Sequence, residues 1–152
     1  MPIAHRVRGR RGRLLADAWR DGMEAHLGST VAGFPNLFIV PGPNTGLGHN
    51  SMVFMIESQI AYVLDCLRVM GERGIGEVDV RPEVQAASNR ELQRNMQGTV
   101  WLSGCASWYL DASGRNTTLW PGFTYPFRRR TRRFDPAEYR LRPAVAAPVA
   151  AA

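Results

Sequence analysis

The sequence predicts an α/β fold, and three features carry that prediction. Leu37-Phe38-Ile39-Val40 is a continuous apolar run bounded by Asn36 and Pro41, which is how a strand buried on both faces of a parallel sheet reads. A loop of glycines and prolines follows it, and then a long segment with apolar residues at helical spacing. Strand and helix then recur downstream, where GEVDV precedes a helix that Pro82 opens at its first turn.

Taken in order, RLLADAWRDGMEAHL (13–27) predicts a short helix broken at Gly22, and Gly28 to Asn36 a connector. The long helix is expected from Ser51 to Arg73. Its buried face should carry Val53, Ile56, Ile60, Val63, Leu64, Leu67 and Met70, with Phe54 and Ala61 flanking and Gly74 as the C-terminal cap. The second helix should end at Gly98 after turning Leu92 and Met96 inward. From Thr99 the pattern becomes aromatic, polar and glycine-punctuated, too long and too rich in tryptophan for a passive connector. It predicts either a ligand lid or a segment packed against something outside the chain. The closing PAVAAPVAAA is of low complexity and predicts a disordered tail.

Composition narrows the function. A chain of 152 residues, 45% hydrophobic, is one domain at most and can bury a core. All 19 basic residues are arginine, a bias that reads as genome composition rather than chemistry. The net charge of +6 sits at the ends: residues 1–20 and 128–142 are each +5, whereas the middle is −4. The basicity therefore belongs to two arms, which argues against the whole as a nucleic-acid-binding domain. Cys66 and Cys105 have neither CxxC nor Cys/His spacing, so no disulfide framework or metal site is signalled, and a reducing, cytoplasmic setting fits. No run approaches the ~18 apolar residues that span a bilayer, and the N-terminal arginines lack the apolar core of a secretory signal.

The loop before the long helix is the candidate binding site. The first amides of a helix lack intrahelical partners, and the aligned peptide dipoles place about half a positive charge there. Here Met52, Val53, Phe54 and Met55 follow Asn50 and Ser51, the first acid is Glu57, and no capping box is present. Gly42, Gly46 and Gly48 allow a flat or phosphorylated group to approach the backbone closely. A second reading of the same residues has Asn50 or Ser51 capping the helix and the glycines making turns. GLGHNS resembles G-x-G-x-x-G but ends in Ser, and the Lys-Ser/Thr of a P-loop is lacking.

Other candidates are weaker. His49 could contact a ligand from the loop or serve as a turn residue; His5 and His26 have no partner in view. Trp19, Trp101 and Trp120 read as core, Glu57 as structural, and Cys105 as a small packing residue without an activating base. FRRRTRRF beside Tyr125 and Phe127 could pair arginine with aromatics for single-stranded nucleic acid, or pack on an absent domain.

Two long motifs then carry a resemblance. GFPNLFIVPGPNTGLGHNSMVFMIESQIAYVLD and CASWYLDASGRNTTLWPGFTYPFRRRTRRFDPAEY, preceded by GRRGRLLADAWRDGMEAHLG, resemble the C-terminal region of flavin-containing monooxygenases of the Baeyer–Villiger type, from about Val7 to Arg142. The resemblance implies the C-terminal portion of an FAD/NAD(P)-binding Rossmann-like domain, divided as a basic segment with a short helix (1–28), a flavin-side part (29–98), a lid and basic arm (99–142) and a tail (143–152). It implies that Gly42, Pro43, Asn44, Asn50, Ser51 and Met52 line the pyrimidine edge of the flavin, where amides meet negative charge. Trp108 would take the position of the lid tryptophan, with Tyr109 and Asn116 as further lid contacts, and the basic run could face NADPH phosphates. FAD, NADPH and a small ketone or heteroatom substrate are the expected ligands.

The family's two glycine fingerprints, its F-x-G-x-x-x-H-x-x-x-W-P signature and its oxygen-activating arginine do not occur in the chain. The expectation is therefore a C-terminal part that needs the missing N-terminal half as partner and carries no catalytic residue of its own. Expressed singly, it should be poorly soluble or partly ordered.

Overall fold

A computed structural model of the chain describes residues 2–48, 51–100, 109–111 and 113–145. His49, Asn50, Trp101, Cys105, Trp108 and the tail from residue 146 lie outside the described residues. Two 3-10 turns, Pro2–His5 and Arg10–Gly12, lead into α1 (Leu15–Ala18). A long irregular segment connects α1 to α2 (Met52–Arg73), which is followed by β1 (Ile75–Val80) and α3 (Pro82–Met96). Further along come α4 (Thr124–Thr131), a 3-10 turn at Pro136–Glu138 and β2 (Tyr139–Pro143). β1 and β2 pair antiparallel, with Val78 opposite Leu141 and Val80 opposite Tyr139.

Punctuation by glycine and proline sets the boundaries of α2 and α3. Gly74 adopts the left-handed conformation, φ 61°, and its amide bonds back to Met70 and Gly71 carbonyls, closing α2. Pro82 sits in the first turn of α3, where its missing amide costs nothing. The predicted helix over 13–27 is only the single turn α1. Gly22, with φ 128°, cannot sit in a right-handed helix, and the chain instead turns back through a bridge between His26 and Thr30.

Two clusters form the core. Leu15, Trp19, Val31, Phe34 and Ile39 gather around the N-terminal segment. Tyr62, Cys66 and Val69 of α2 meet Val78, Val80, Phe134 and Tyr139 in the second. The Tyr62 and Tyr139 hydroxyls are 2.8 Å apart, and the latter lies 3.0 Å from Thr30 Oγ1. Burial pushes the Tyr139 phenol up to about 12.

Two further expectations are corrected. Leu37–Val40 does not form a strand: the amide of Ile39 donates to Ser29 O at 2.9 Å and that of Leu37 to Phe34 O at 3.2 Å. A parallel strand needs neighbours on both edges, and the described residues place their one sheet elsewhere. The buried face of α2 is also not the predicted one. Met55, Ser58, Gln59, Tyr62, Cys66 and Val69 face inward, while Val53 (61% exposed), Ile60 (45%), Leu64 (61%) and Leu67 (50%) face solvent. The tyrosine cluster takes one side of the helix and leaves the more aliphatic side uncovered.

Nor are the basic ends free arms. Arg10 binds Asp79 at 2.6 Å and also Glu77, both on β1. Arg128 pairs with Glu57 at 2.8 Å and lies 3.7 Å over the Phe54 ring, and Arg130 pairs with Glu138.

Candidate functional site

The loop from Pro41 to Gly46 is held as the edge of a miniature parallel pairing. The amides of Asn44 and Gly46 donate to the carbonyls of Thr117 (3.0 Å) and Thr118 (2.9 Å), and Trp120 N–H returns a bond to Gly46 O (2.8 Å). Asn44 sits in the left-handed region, φ 55°, which asparagine tolerates better than most residues. Its buried side-chain amide donates to Asn116 O at 2.8 Å and Leu119 O at 3.0 Å. Asn116 is fully buried, and its Oδ1 accepts from the amides of Thr118 (3.0 Å) and Leu119 (2.8 Å). Both asparagines thus hold residues 116–119 against the loop.

The glycines explain how closely these pieces meet. A Cβ on Gly42 would come within 1.9 Å of Gly28 O, and one on Gly46 within 2.8 Å of Thr118 O. At both positions the close approach is made by the chain's own backbone, which is the turn-making role of the second sequence reading.

Beside the loop lies a cavity of about 420 Å³ with mostly apolar walls. Pro41, Gly42, Pro43, Thr45, Gly46 and Met52 line it from the loop and the start of α2; Trp19, Met23, Thr117 and Thr118 also line it. α2 has no acidic residue in its first turn, Ser51 is its N-cap, and Met52 Sδ receives the amide of Leu47 at 3.2 Å. A second cavity, about 580 Å³, shares Trp19, Met23, Thr117 and Thr118 with the first and is also lined by Tyr109. The structure therefore brings Gly42, Pro43, Gly46, Met52 and Tyr109 into one neighbourhood, while Asn44 and Asn116 brace it from within. Trp19 read from sequence as core and Met23 gave no signal at all, because both reach the cavity through the non-helical path after α1.

Arg115 ties that path to the turn at Asp111. Its guanidinium bonds Glu24 at 2.8 Å, Asp111 at 3.2 Å and the carbonyl of Asp21. Burial alone would raise the Asp111 carboxyl, but hydrogen bonds from Ser113 and Arg115 hold it below its ordinary range. His26, expected to lack a partner, is buried with Nε2 3.1 Å from Glu138 Oε2. Burial lifts the Cys66 thiol to about 12, so it is an inert packing residue. Among the described residues there is no group of three or more side chains that could hold a metal, and no helix long and apolar enough to cross a membrane.

This architecture is that of FAD- and NADP-binding monooxygenases. It matches an oxidised steroid monooxygenase bound to NADP at TM-score 0.71 and 27% identity, over 81% of this chain and 23% of that one. It matches cyclohexanone monooxygenase from Rhodococcus sp. Phi1 bound to NADP+ at TM-score 0.75 and 25% identity, over 90% and 27%. Within that class the chain is similar to the Baeyer–Villiger monooxygenases and fits a C-terminal segment of them. A protein of that name from Pseudomonas aeruginosa is 58% identical over 137 residues, covering 89% of this chain and 26% of the relative. One from Streptomyces coelicolor is 58% identical over 151 residues, covering 96% and 29%. The chain spans between a quarter and a third of the curated relatives it matches. No family model matches it.

Proposed function

We propose that the chain is the flavin-side and lid portion of an FAD- and NADPH-dependent monooxygenase that inserts an oxygen atom beside a ketone or oxidises a soft heteroatom. One observation carries the reading: the apolar cavity opens between the Pro41–Gly46 loop and the acid-free first turn of α2. A flat, electron-rich ring edge suits that place, with Gly42, Pro43, Gly46, Ser51 and Met52 around it and His49, Asn50 and Asn44 in the same loop. The walls are mostly apolar, and the amides at the helix start favour negative charge. When bound, FAD supplies the redox chemistry of oxygen transfer. The chain's own part is to seat that ring and, through Trp108 and Tyr109 on the lid, to close over substrate and nicotinamide; Asn116 anchors the lid's far end.

The family's two glycine fingerprints do not occur in this chain, so both cofactors would need the remaining part of the enzyme as partner. A buried reduced Cys66 suits a cytoplasmic setting. The test is to co-express this chain with the portion of the P. aeruginosa relative that precedes the matched segment. The pair should purify yellow and oxidise NADPH faster when cyclohexanone or a thioether is added. A colourless pair, loaded with FAD and still without bound flavin, would sink the reading.

A further inference from the structure

The two cavities beside the loop share a wall made of Trp19, Met23, Thr117 and Thr118. Three of these residues are fixed by hydrogen bonds. The Trp19 indole N–H donates to Glu24 O at 2.8 Å. The carbonyls of Thr117 and Thr118 accept the amides of Asn44 and Gly46, and the Thr118 amide donates to Asn116 Oδ1 at 3.0 Å. Met23 differs in kind. Its half-buried side chain is an unbranched, freely rotating thioether, the kind that fills irregular gaps.

The backbone that carries Met23 is clamped on both sides. Arg115 bonds the carbonyl of Asp21 before it and, at 2.8 Å, the carboxylate of Glu24 after it. Between them Gly22 holds φ 128°, and a Cβ there would stand 2.5 Å from Asp111 Oδ2 and closer still to the Arg115 guanidinium. Glycine lets the arginine close over the turn. A rigid turn thus presents a pliable side chain at the boundary between the chambers. The second chamber adds Arg20, Asp21, Asp111 and Ser113 to its apolar wall. Arg20 is held by Asp17 at 2.9 Å, Asp111 by Ser113 and Arg115, and Asp21 lies at the exposed rim. Shape at Trp19 and Met23, more than charge, is what remains to discriminate among ligands.

We propose that Met23 is a specificity-determining residue: its side chain sets how much of the second cavity a ketone or thioether occupies while the reacting group reaches the flavin seat. The inference rests on the monooxygenase reading above and narrows its substrates to compact molecules with an apolar body. Bulkier ones meet the thioether. A single methylene at an apolar wall changes discrimination about 10–200-fold, so a side chain of this length is enough to select by size.

The test begins with the chain alone, isotope-labelled at its methionine methyls and titrated with cyclohexanone and with tert-butylcyclohexanone. The smaller ketone should move the Met23 signal and leave Met70 and Met96, which line neither cavity, in place. Met23→Ala should improve affinity for the larger ketone relative to the smaller roughly tenfold or more, and Met23→Phe should move that ratio the other way. Met23→Leu, close in volume, should hold the wild-type ratio. In the co-expressed pair the same substitutions should move the ratio of KM values in the same direction, while bound flavin and kcat for cyclohexanone stay as in the wild type. Circular dichroism and melting temperature report whether each variant folds. Should Met23→Ala fail to, the wild-type titration and Met23→Phe still decide.

A Met23 signal that moves with neither ketone up to its solubility limit overturns the proposal, as does an affinity ratio that ignores the size of the side chain at this position. A yellow, active pair whose KM ratio is unchanged by Met23→Ala and Met23→Phe also overturns it and leaves the flavin reading intact. A colourless pair, with the affinity ratio of the chain still following side-chain size, upholds the size selection and removes the monooxygenase reading.

Discussion

At the scale of residues, the side chains that matter for the site act mainly on other parts of the chain. Asn44 was legible as a loop residue, but sequence cannot show that its amide reaches a carbonyl 75 positions away. Asn44→Ala should destabilise the chain by about 2 kcal/mol, since the Leu119 carbonyl loses the Asn44 donor and the Asn116 carbonyl is left with Gln93. That loss should appear in a urea melt of the chain without any ligand, and an unchanged midpoint would return Asn44 to a purely ligand-facing role. His26 and Glu138, 112 positions apart, were equally illegible as a pair. Burial alone would raise the Glu138 carboxyl, yet hydrogen bonds from His26 and Arg130 outweigh it and bring it from 4.5 to about 2. A carboxyl held below its ordinary value contributes stability above that value and loses it as pH falls through the lower one. Melting temperature should thus decline between pH 4.5 and about 2, and Glu138→Gln should flatten the part of that decline owed to this group.

At the scale of elements, local chemistry announced the helices, whereas strand pairing and helix orientation depended on partners. Gly74 and Pro82 mark the end of α2 and the start of α3 through backbone preferences that act whatever the surroundings. The apolar run at residues 37–40 needed hydrogen-bonding neighbours that the described residues do not bring, so its pattern was right for a buried place and wrong for a strand. The short GEVDV run did become β1, because β2 returns from 60 residues downstream to pair with it. Arg10 fixes that strand from the N-terminal side, where Asp79 is buried and also accepts the amide of Gly33 at 2.8 Å. Arg10→Ala would leave the Asp79 carboxylate buried with one partner fewer, and should lower stability measurably in a urea melt. Hydrogen exchange should rise at the amides of β1 and of Gly33 while α3 stays protected; uniform protection would show that Arg10 is a surface charge and not a tie.

At the scale of the whole molecule, the reversed orientation of α2 says most about what the chain is. Hydrophobic periodicity finds an apolar face but cannot say what covers it, and α2 has both a buried face and an exposed aliphatic stripe. The amphipathic pattern over Val53–Met70 was sound; the inference that it faced inward assumed a self-sufficient domain. A protein that leaves Val53, Ile60, Leu64 and Leu67 uncovered beside a cavity opening at the same helix end carries an extended apolar surface in solution. A partly ordered chain is the expectation from sequence, but two buried clusters give it a core of its own. Alone it should therefore bind a dye such as anilinonaphthalene sulfonate while still giving a cooperative melt and sharp aromatic signals. Leu64→Asp/Leu67→Asp should cut the dye signal several-fold without lowering the melting temperature, because leucines half-exposed or more contribute little of their burial energy to this chain. If the substitution instead lowered the melting temperature as a core change does, by the equivalent of about 2–5 kcal/mol, the stripe would belong to this chain's own core and the case for an absent partner would lose its physical basis.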